Sequence, residues 1–189
     1  HKVITSTIEG VTSVSSGNLI YSRFESDEKP NLEKTTYKIY SKIFQILKKR
    51  KLNLVRIWNY VPNILDESGK LERYRQFNLG RNKAWNKLGP KDENGELIVP
   101  AASGIGALGG PLKIGVLFSN EKPIHIKNPR QINSYNYSKK YGPKPPMFSR
   151  ATYLKNVGLF ISGTASIVGE NSKHHNDPYM QTNETLKNI

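Results

Sequence analysis

Apolar positions along this chain keep two rhythms. Within Leu32 to Lys51, Tyr40, Ile43, Phe44 and Leu47 recur at three- and four-residue spacing, which predicts an amphipathic helix. The run LNLVRIWNYVP, Leu52 to Pro62, is short, apolar and closed by proline, the pattern of a strand. After a loop holding Asp66, Ser68 and Gly69, the residues Leu71, Tyr74, Phe77, Trp85 and Leu88 return to helical spacing, although Gly80 interrupts it. Strands are predicted near Leu97–Ala102 and Leu112–Ser119, and Gly17 to Ser22 reads as a turn into an earlier one. The order is strands, helix, strand, helix, strands: an α+β arrangement with helices covering one face of a sheet.

The grammar recurs. Val157 to Ser162 again reads as a glycine turn into an apolar strand, and a polar loop leads to Thr182, Thr185, Leu186 and Ile189, the start of a helical face. Residues 1–120 are therefore expected to form one unit and 121–189 the start of a second. A half-built second unit would leave a sheet edge and an apolar helix face uncovered, so the expectation is of a longer natural protein. A first residue of His rather than Met points the same way.

The composition narrows the chemistry. With 189 residues and 36% hydrophobic positions the chain can bury a core, and no apolar run approaches the about 18 residues of a membrane span. A cytoplasmic enzyme is the default expectation. The absence of cysteine removes thiolate nucleophiles, thiolate metal sites and disulfides. The net charge of +14 invites a nucleic-acid reading, but residues 1–120 hold 19 basic and 11 acidic side chains and 121–189 hold 10 and 4, so the excess is spread out. Its one dense run, Lys48 to Lys51, falls where a helix should end and complements the helix dipole. Such a field would draw in a small dianion.

Several patterns carry little chemistry. Gly104-Ile105-Gly106-Ala107-Leu108-Gly109 matches a dinucleotide fingerprint by letters, yet Pro111 and a strand pattern follow where a helix should begin. His174, His175 and Asp177 suggest a metal, but no third ligand is set by spacing and a solvated loop is the expectation.

The segment from Asn128 onward is the most informative. It combines NPRQ, Tyr135 to Tyr141, YGPKPPMFSRA, SGTASIVG and QTNETLKNI. Prolines 143, 145 and 146 stiffen a loop that carries arginines and tyrosines. Gly163 would let the backbone approach a ligand and Thr164 would offer a hydroxyl, though a plain strand terminus explains both equally well. On these stretches the chain resembles the chorismatase family, the FkbO/Hyg5-like 3-hydroxybenzoate synthases and chorismate hydrolases. The resemblance implies Rid/YjgF-like (chorismate-mutase-like) units, one complete and one partial, and chorismate as a small-molecule substrate. It implies Arg150 as a carboxylate clamp with Tyr135 and Tyr141 donating phenol hydrogen bonds, and Arg130 as a further candidate; a surface role for Arg130 and a strand alternation of Tyr135 with Tyr137 stay open beside it. It implies no cofactor and no metal, no nucleic acid and no membrane, and either a monomer or a trimer through Rid-like units. The general acid it implies is a glutamate beyond Ile189, so this piece is expected to be inactive. Glu184 sits among polar residues and is expected to face solvent, and Glu170-Asn171 replaces the histidine and glutamate expected at that turn. A Rid-like imine or enamine deaminase would need a small pocket with one arginine. A basic RNA-binding or ribonuclease-like protein would need clustered charge and exposed aromatics.

Overall fold

The structure, a computed structural model, describes residues 2–27 and 31–189. It opens with β1 (Ile4–Ile8), β2 (Val11–Ser16) and β3 (Leu19–Ser26), followed by α1 (Leu32–Arg50) and β4 (Asn53–Pro62). A two-residue ladder of β5 (Glu67–Ser68) with β6 (Leu71–Glu72) leads into α2 (Arg73–Leu88), then β7 (Ala101–Ala107) and β8 (Leu112–Ser119). These strands, without the small ladder, form one six-stranded sheet in the order β1-β2-β3-β8-β4-β7. Only β4 and β7 run parallel, as the helical crossover through α2 requires.

Local chemistry sets the helix ends. Asn31 accepts the Lys34 N–H at 3.0 Å, Glu33 lies in the first turn, and Lys48, Lys49 and Arg50 occupy the last, each on the favourable side of the dipole. Lys49 also reaches Glu9 at 2.9 Å, so the basic run ties α1 to the β1–β2 turn. The apolar stripe of α1 packs on α2 and on the sheet: Tyr40, Ile43, Phe44, Phe77, Trp85, Ile57, Ile114 and Phe118 are all buried together. Burying each such side chain is worth about 1.5–3 kcal/mol. Gly80, the one weak position in the α2 pattern, lies where the two helices touch. A Cβ there would sit 2.1 Å from the Glu33 carbonyl oxygen and 2.9 Å from the Thr36 Cβ. Tyr21, Tyr60 and Ile105 are exposed on the other face of the sheet.

One strand differs from expectation. The segment predicted over Leu97–Ala102 begins at Ala101 and runs through Gly104-Ile105-Gly106 to Ala107. Residues ahead of it are held in a turn around Asp92, whose carboxylate accepts the N–H groups of Asn94 and Glu96 at 2.9 Å each. The glycines suit the strand, because a Cβ at Gly106 would meet Ile64 at 2.8 Å.

Beyond residue 120 a smaller sheet forms in the order β11-β10-β9, from β9 (Ile124–Ile126), β10 (Ala151–Leu154) and β11 (Gly158–Ile161). A short ladder of β12 (Ile167–Val168) with β13 (Asn171–Ser172) and the helix α3 (Pro178–Lys187) complete the chain. Asp177 caps α3 by accepting the Met180 N–H at 2.9 Å, and Pro178 takes the first helical position, so the helix starts four residues before Thr182. The smaller sheet docks along β7. Ser149 bridges to Ala101, the Ala101 N–H donates to Thr152 Oγ1 at 2.8 Å, and the Ala102 N–H donates to Ser162 Oγ at 2.9 Å. The start of the β7 edge, at Ala101 and Ala102, is thereby covered, while the rest of that strand stays exposed.

Candidate active-site cleft

That docking line creates a cleft of about 510 Å³ between the two halves. One wall is α2, where Tyr74, Arg75, Asn78 and Arg81 fall at spacings of one, four and seven residues and so share a side of the helix. The other wall is the loop before β10, which contributes Tyr137, Tyr141, Phe148 and Arg150. Ser103 and Gly104 from β7 and Gly163 and Thr164 from the end of β11 close the floor. Gly163 donates its N–H to the Ala102 carbonyl at 3.2 Å, and a Cβ there would touch Ser103 Oγ at 3.4 Å, so the two strands meet with little to spare.

Arg150 is the best-positioned of the residues expected from sequence. It is 8% exposed, and its Nη2 donates to the Ile132 carbonyl at 2.5 Å and to the Tyr137 hydroxyl at 2.8 Å. Its guanidinium carbon lies 5.2 Å from the Phe148 ring centroid and 5.7 Å from that of Tyr137. Two further buried arginines belong to the large sheet and its helices. Arg81 donates to Asn78 Oδ1 at 2.9 Å and stacks over Phe77 at 4.9 Å, and Arg56 donates to Ser103 Oγ at 2.6 Å. Burial lowers Arg56 to about 10, which leaves it cationic at neutral pH. Among the described residues none of the three is paired with a carboxylate. Each has one buried guanidinium nitrogen without a hydrogen-bond partner: Nη1 of Arg56, Nε of Arg81 and Nε of Arg150.

The remaining expected residues divide. Gly163 and Thr164 lie on the cleft, and Thr164 Oγ1 accepts from Gln131 Nε2 at 3.4 Å. Tyr141 lines the cleft with its ring, but its hydroxyl donates to the Glu170 carbonyl and is not turned to a ligand. Tyr135 is not brought to the cleft: it packs against the core, where burial pushes its phenol up, and Tyr137 lines the cleft. The reason is local. Ser134–Asn136 and Lys139–Tyr141 form short 3-10 turns, a different rhythm from a strand, with Ser134 anchored by donation to the Pro146 and Phe148 carbonyls. Arg130 is not brought to it either. It lies off the cleft and forms an ion pair with Glu184.

Glu184, expected on a solvated face, is the buried residue of α3 and collects Arg130, His174 at 3.6 Å and Lys187 at 3.8 Å. The early start of α3 turns it inward. His174 is thereby accounted for, and among the described residues no three metal-binding side chains come together. Glu170 does stand on the cleft. It accepts the Ser138 N–H and hydroxyl, each at 2.8 Å, and Lys140 at 3.1 Å; these bonds, the backbone one first, hold its carboxyl below the usual range. Gly142, with φ of 141°, turns this loop towards α2, where a Cβ on it would lie 3.4 Å from Arg75 Cγ.

Asn78 and Arg81 were missed from sequence, although a signal existed. Both sit on the apolar stripe of α2 with Phe77 and Trp85, where a polar side chain needs a buried partner or a ligand.

Comparison with known proteins gives the family. The model of the FkbO/Hyg5-like chorismatase N-terminal family matches residues 1–118. A 3-hydroxybenzoate synthase of Streptomyces hygroscopicus is 33% identical over 96% of this chain and 55% of its own length. A chorismatase of Streptomyces rapamycinicus is 38% identical over 72% of this chain and 42% of its own. A crystal structure of a chorismatase superposes with a TM-score of 0.87 at 32% identity, covering 97% of this chain and 56% of that one. The chain thus spans about half the length of the relatives it matches. It belongs to the FkbO/Hyg5-like chorismatase family.

Proposed function

We propose that the protein expressed from its complete reading frame cleaves chorismate to pyruvate and either a dihydroxycyclohexadiene carboxylate or 3-hydroxybenzoate. Chorismate carries two carboxylates, a flat diene ring and an enolpyruvyl ether. A site for it needs planar cations for the acids and aromatic walls for the ring. The observation that carries the reading is Arg150, a buried guanidinium that lines the cleft between the Phe148 and Tyr137 rings with no carboxylate partner among the described residues. A pre-oriented fork of this kind loses little freedom when a carboxylate docks.

The reaction also needs a proton delivered to the enol ether, and a carboxylic acid does this when its pKa is raised. Of the carboxylates on the cleft, Glu170 is held the other way, lowered by Ser138 and Lys140, and Glu72 is ion-paired with Arg75 at 3.3 Å. The 189-residue piece alone is therefore expected to bind substrate analogues without releasing pyruvate. The reading carries a cytoplasmic setting with it, since a dianion does not cross a bilayer unaided and must meet its enzyme where it is made.

The test is incubation of the complete protein with chorismate, followed by pyruvate release. Arg150→Lys and Arg150→Ala are each expected to lose about 100-fold in kcat/KM, because an ammonium cannot replace a fork. A well-folded complete protein that releases no pyruvate overturns the reading.

A further inference from the structure

The cleft wall that carries Tyr137 and Tyr141 is a loop held at one place. Ser134 anchors its start on the Pro146 and Phe148 carbonyls, and two short 3-10 turns follow. Among the described residues, every hydrogen bond from Ser138–Tyr141 to a distant part of the chain ends on the turn at Glu170-Asn171. The Glu170 carboxylate accepts the Ser138 N–H and hydroxyl at 2.8 Å each and pairs with Lys140 Nζ at 3.1 Å. The Glu170 carbonyl accepts the Tyr141 hydroxyl, and Asn171 Oδ1 accepts from Lys140 at 2.6 Å.

That turn is itself fixed from the other side. Gly169, at φ of 63°, donates its N–H to the Arg130 carbonyl at 2.7 Å and accepts the Ile132 N–H at 2.9 Å. The Ile132 carbonyl in turn accepts from Arg150 Nη2, and the same nitrogen donates to Tyr137, the residue before Ser138. The contacts close a ring that runs from Arg150 through Ile132, Gly169, Glu170, Ser138 and Tyr137 back to Arg150. Glu170 is its one carboxylate, and its side chain makes three of the five contacts between loop and turn.

We propose that Glu170 is a positioning residue: by fastening Ser138 and Lys140 to the β12–β13 turn it holds Tyr137 against Arg150 and so fixes the direction in which that guanidinium faces the cleft. Its effect on turnover rests on the chorismate reading; its hold on the loop does not. Without the carboxylate only the Tyr141 and Asn171 contacts remain, and the segment should open while both sheets stay folded. A guanidinium free to change direction must be ordered by the ligand, so KM rises while kcat holds.

The test uses the complete protein, with Glu170→Ala and Glu170→Gln beside wild type. Lys139 and Lys140 are exposed, so trypsin reports opening of the loop. The Arg150 Nε–H is sealed from solvent, so its NMR signal should exchange slowly and report the guanidinium. Glu170→Ala is expected to speed cleavage after Lys139 and Lys140 about tenfold at an unchanged melting temperature, and to hasten exchange of that signal. The KM for chorismate should rise about 3- to 10-fold with kcat within about twofold. Glu170→Gln keeps one acceptor oxygen for the Ser138 N–H and should fall between. Should Glu170→Ala fail to fold, Glu170→Gln is read by the same measures. A folded variant with wild-type loop cleavage, wild-type exchange at Arg150 or an unchanged KM overturns the assignment, as does a lowered melting temperature with cleavage raised throughout the chain. Absence of turnover by wild type overturns the chorismate reading instead, and cleavage and exchange then still decide whether Glu170 holds the loop.

Discussion

Acid should loosen the joint between the two sheets through one side chain, His125. It lies on β9 opposite Thr152 of β10, and its Nδ1 is 3.0 Å from Thr152 Oγ1. That oxygen also accepts the Ala101 N–H at 2.8 Å, so the Thr152 hydroxyl bridges the imidazole to the start of β7. Charging the imidazole would place an ion largely out of water at the point where the small sheet meets β7. Burial alone lowers His125 from 6.5 to about 4. The folded state therefore refuses a proton that the unfolded chain accepts below pH 6.5, and stability falls as pH drops from about 6.5 towards 4. With those two values, the loss between pH 7.5 and pH 5 is about 2 kcal/mol from this residue. The assay is urea denaturation of wild type and His125→Gln at both pH values. Glutamine cannot be protonated there, so the variant should lack that portion of the acid loss. Equal pH dependence in the two proteins, within 0.5 kcal/mol, would refute the reasoning, as would an imidazole titration near 6.5 by NMR.

Two further substitutions test packing and pairing. Gly80→Ala should destabilise by about 3 kcal/mol or more and lower the denaturation midpoint, because its Cβ would meet the Glu33 carbonyl of α1, and the backbone cannot yield as a side chain would. Glu184→Gln should cost about 1–2 kcal/mol, less than a fully buried pair because Arg130 is partly exposed. A double-mutant cycle with Arg130→Met should show coupling, and strict additivity in that cycle would remove the pair from the account.

The long periodic elements were legible because their spacing is read without any tertiary knowledge. Tyr40, Ile43, Phe44 and Leu47 marked α1, and the apolar run to Pro62 marked β4. The β7 strand was displaced because its glycines lack side chains to alternate, and only contact with Ile64 explains them. The loop before β10 was legible in composition but not in direction. Tyr135 and Tyr137 are two residues apart, and a 3-10 turn rather than a strand decides which one meets Arg150. Glu184 was misjudged because its partner Arg130 lies 54 residues away and its helix begins earlier than the apolar face suggested. Neighbouring letters cannot report such a contact.

The net charge teaches a related lesson. A total of +14 spread along the sequence says only that anions are attracted. What distinguishes the cleft is that Arg81 and Arg150 line it while almost wholly removed from water, with no carboxylate paired to either among the described residues. Such burial opposes folding, and it is sustained here by the close contact of α1 with α2 at Gly80 and by the seam that Thr152 and Ser162 make with β7. The same burial strengthens any interaction the arginines make with a docked anion, since no water competes for them and they need not reorient. Stability and recognition are therefore expected to be opposed at Arg150: replacing it by methionine should weaken binding of a dianion by far more than any loss of stability accounts for. A variant that lost binding only in proportion to lost stability would show that the arginine belongs to the scaffold instead.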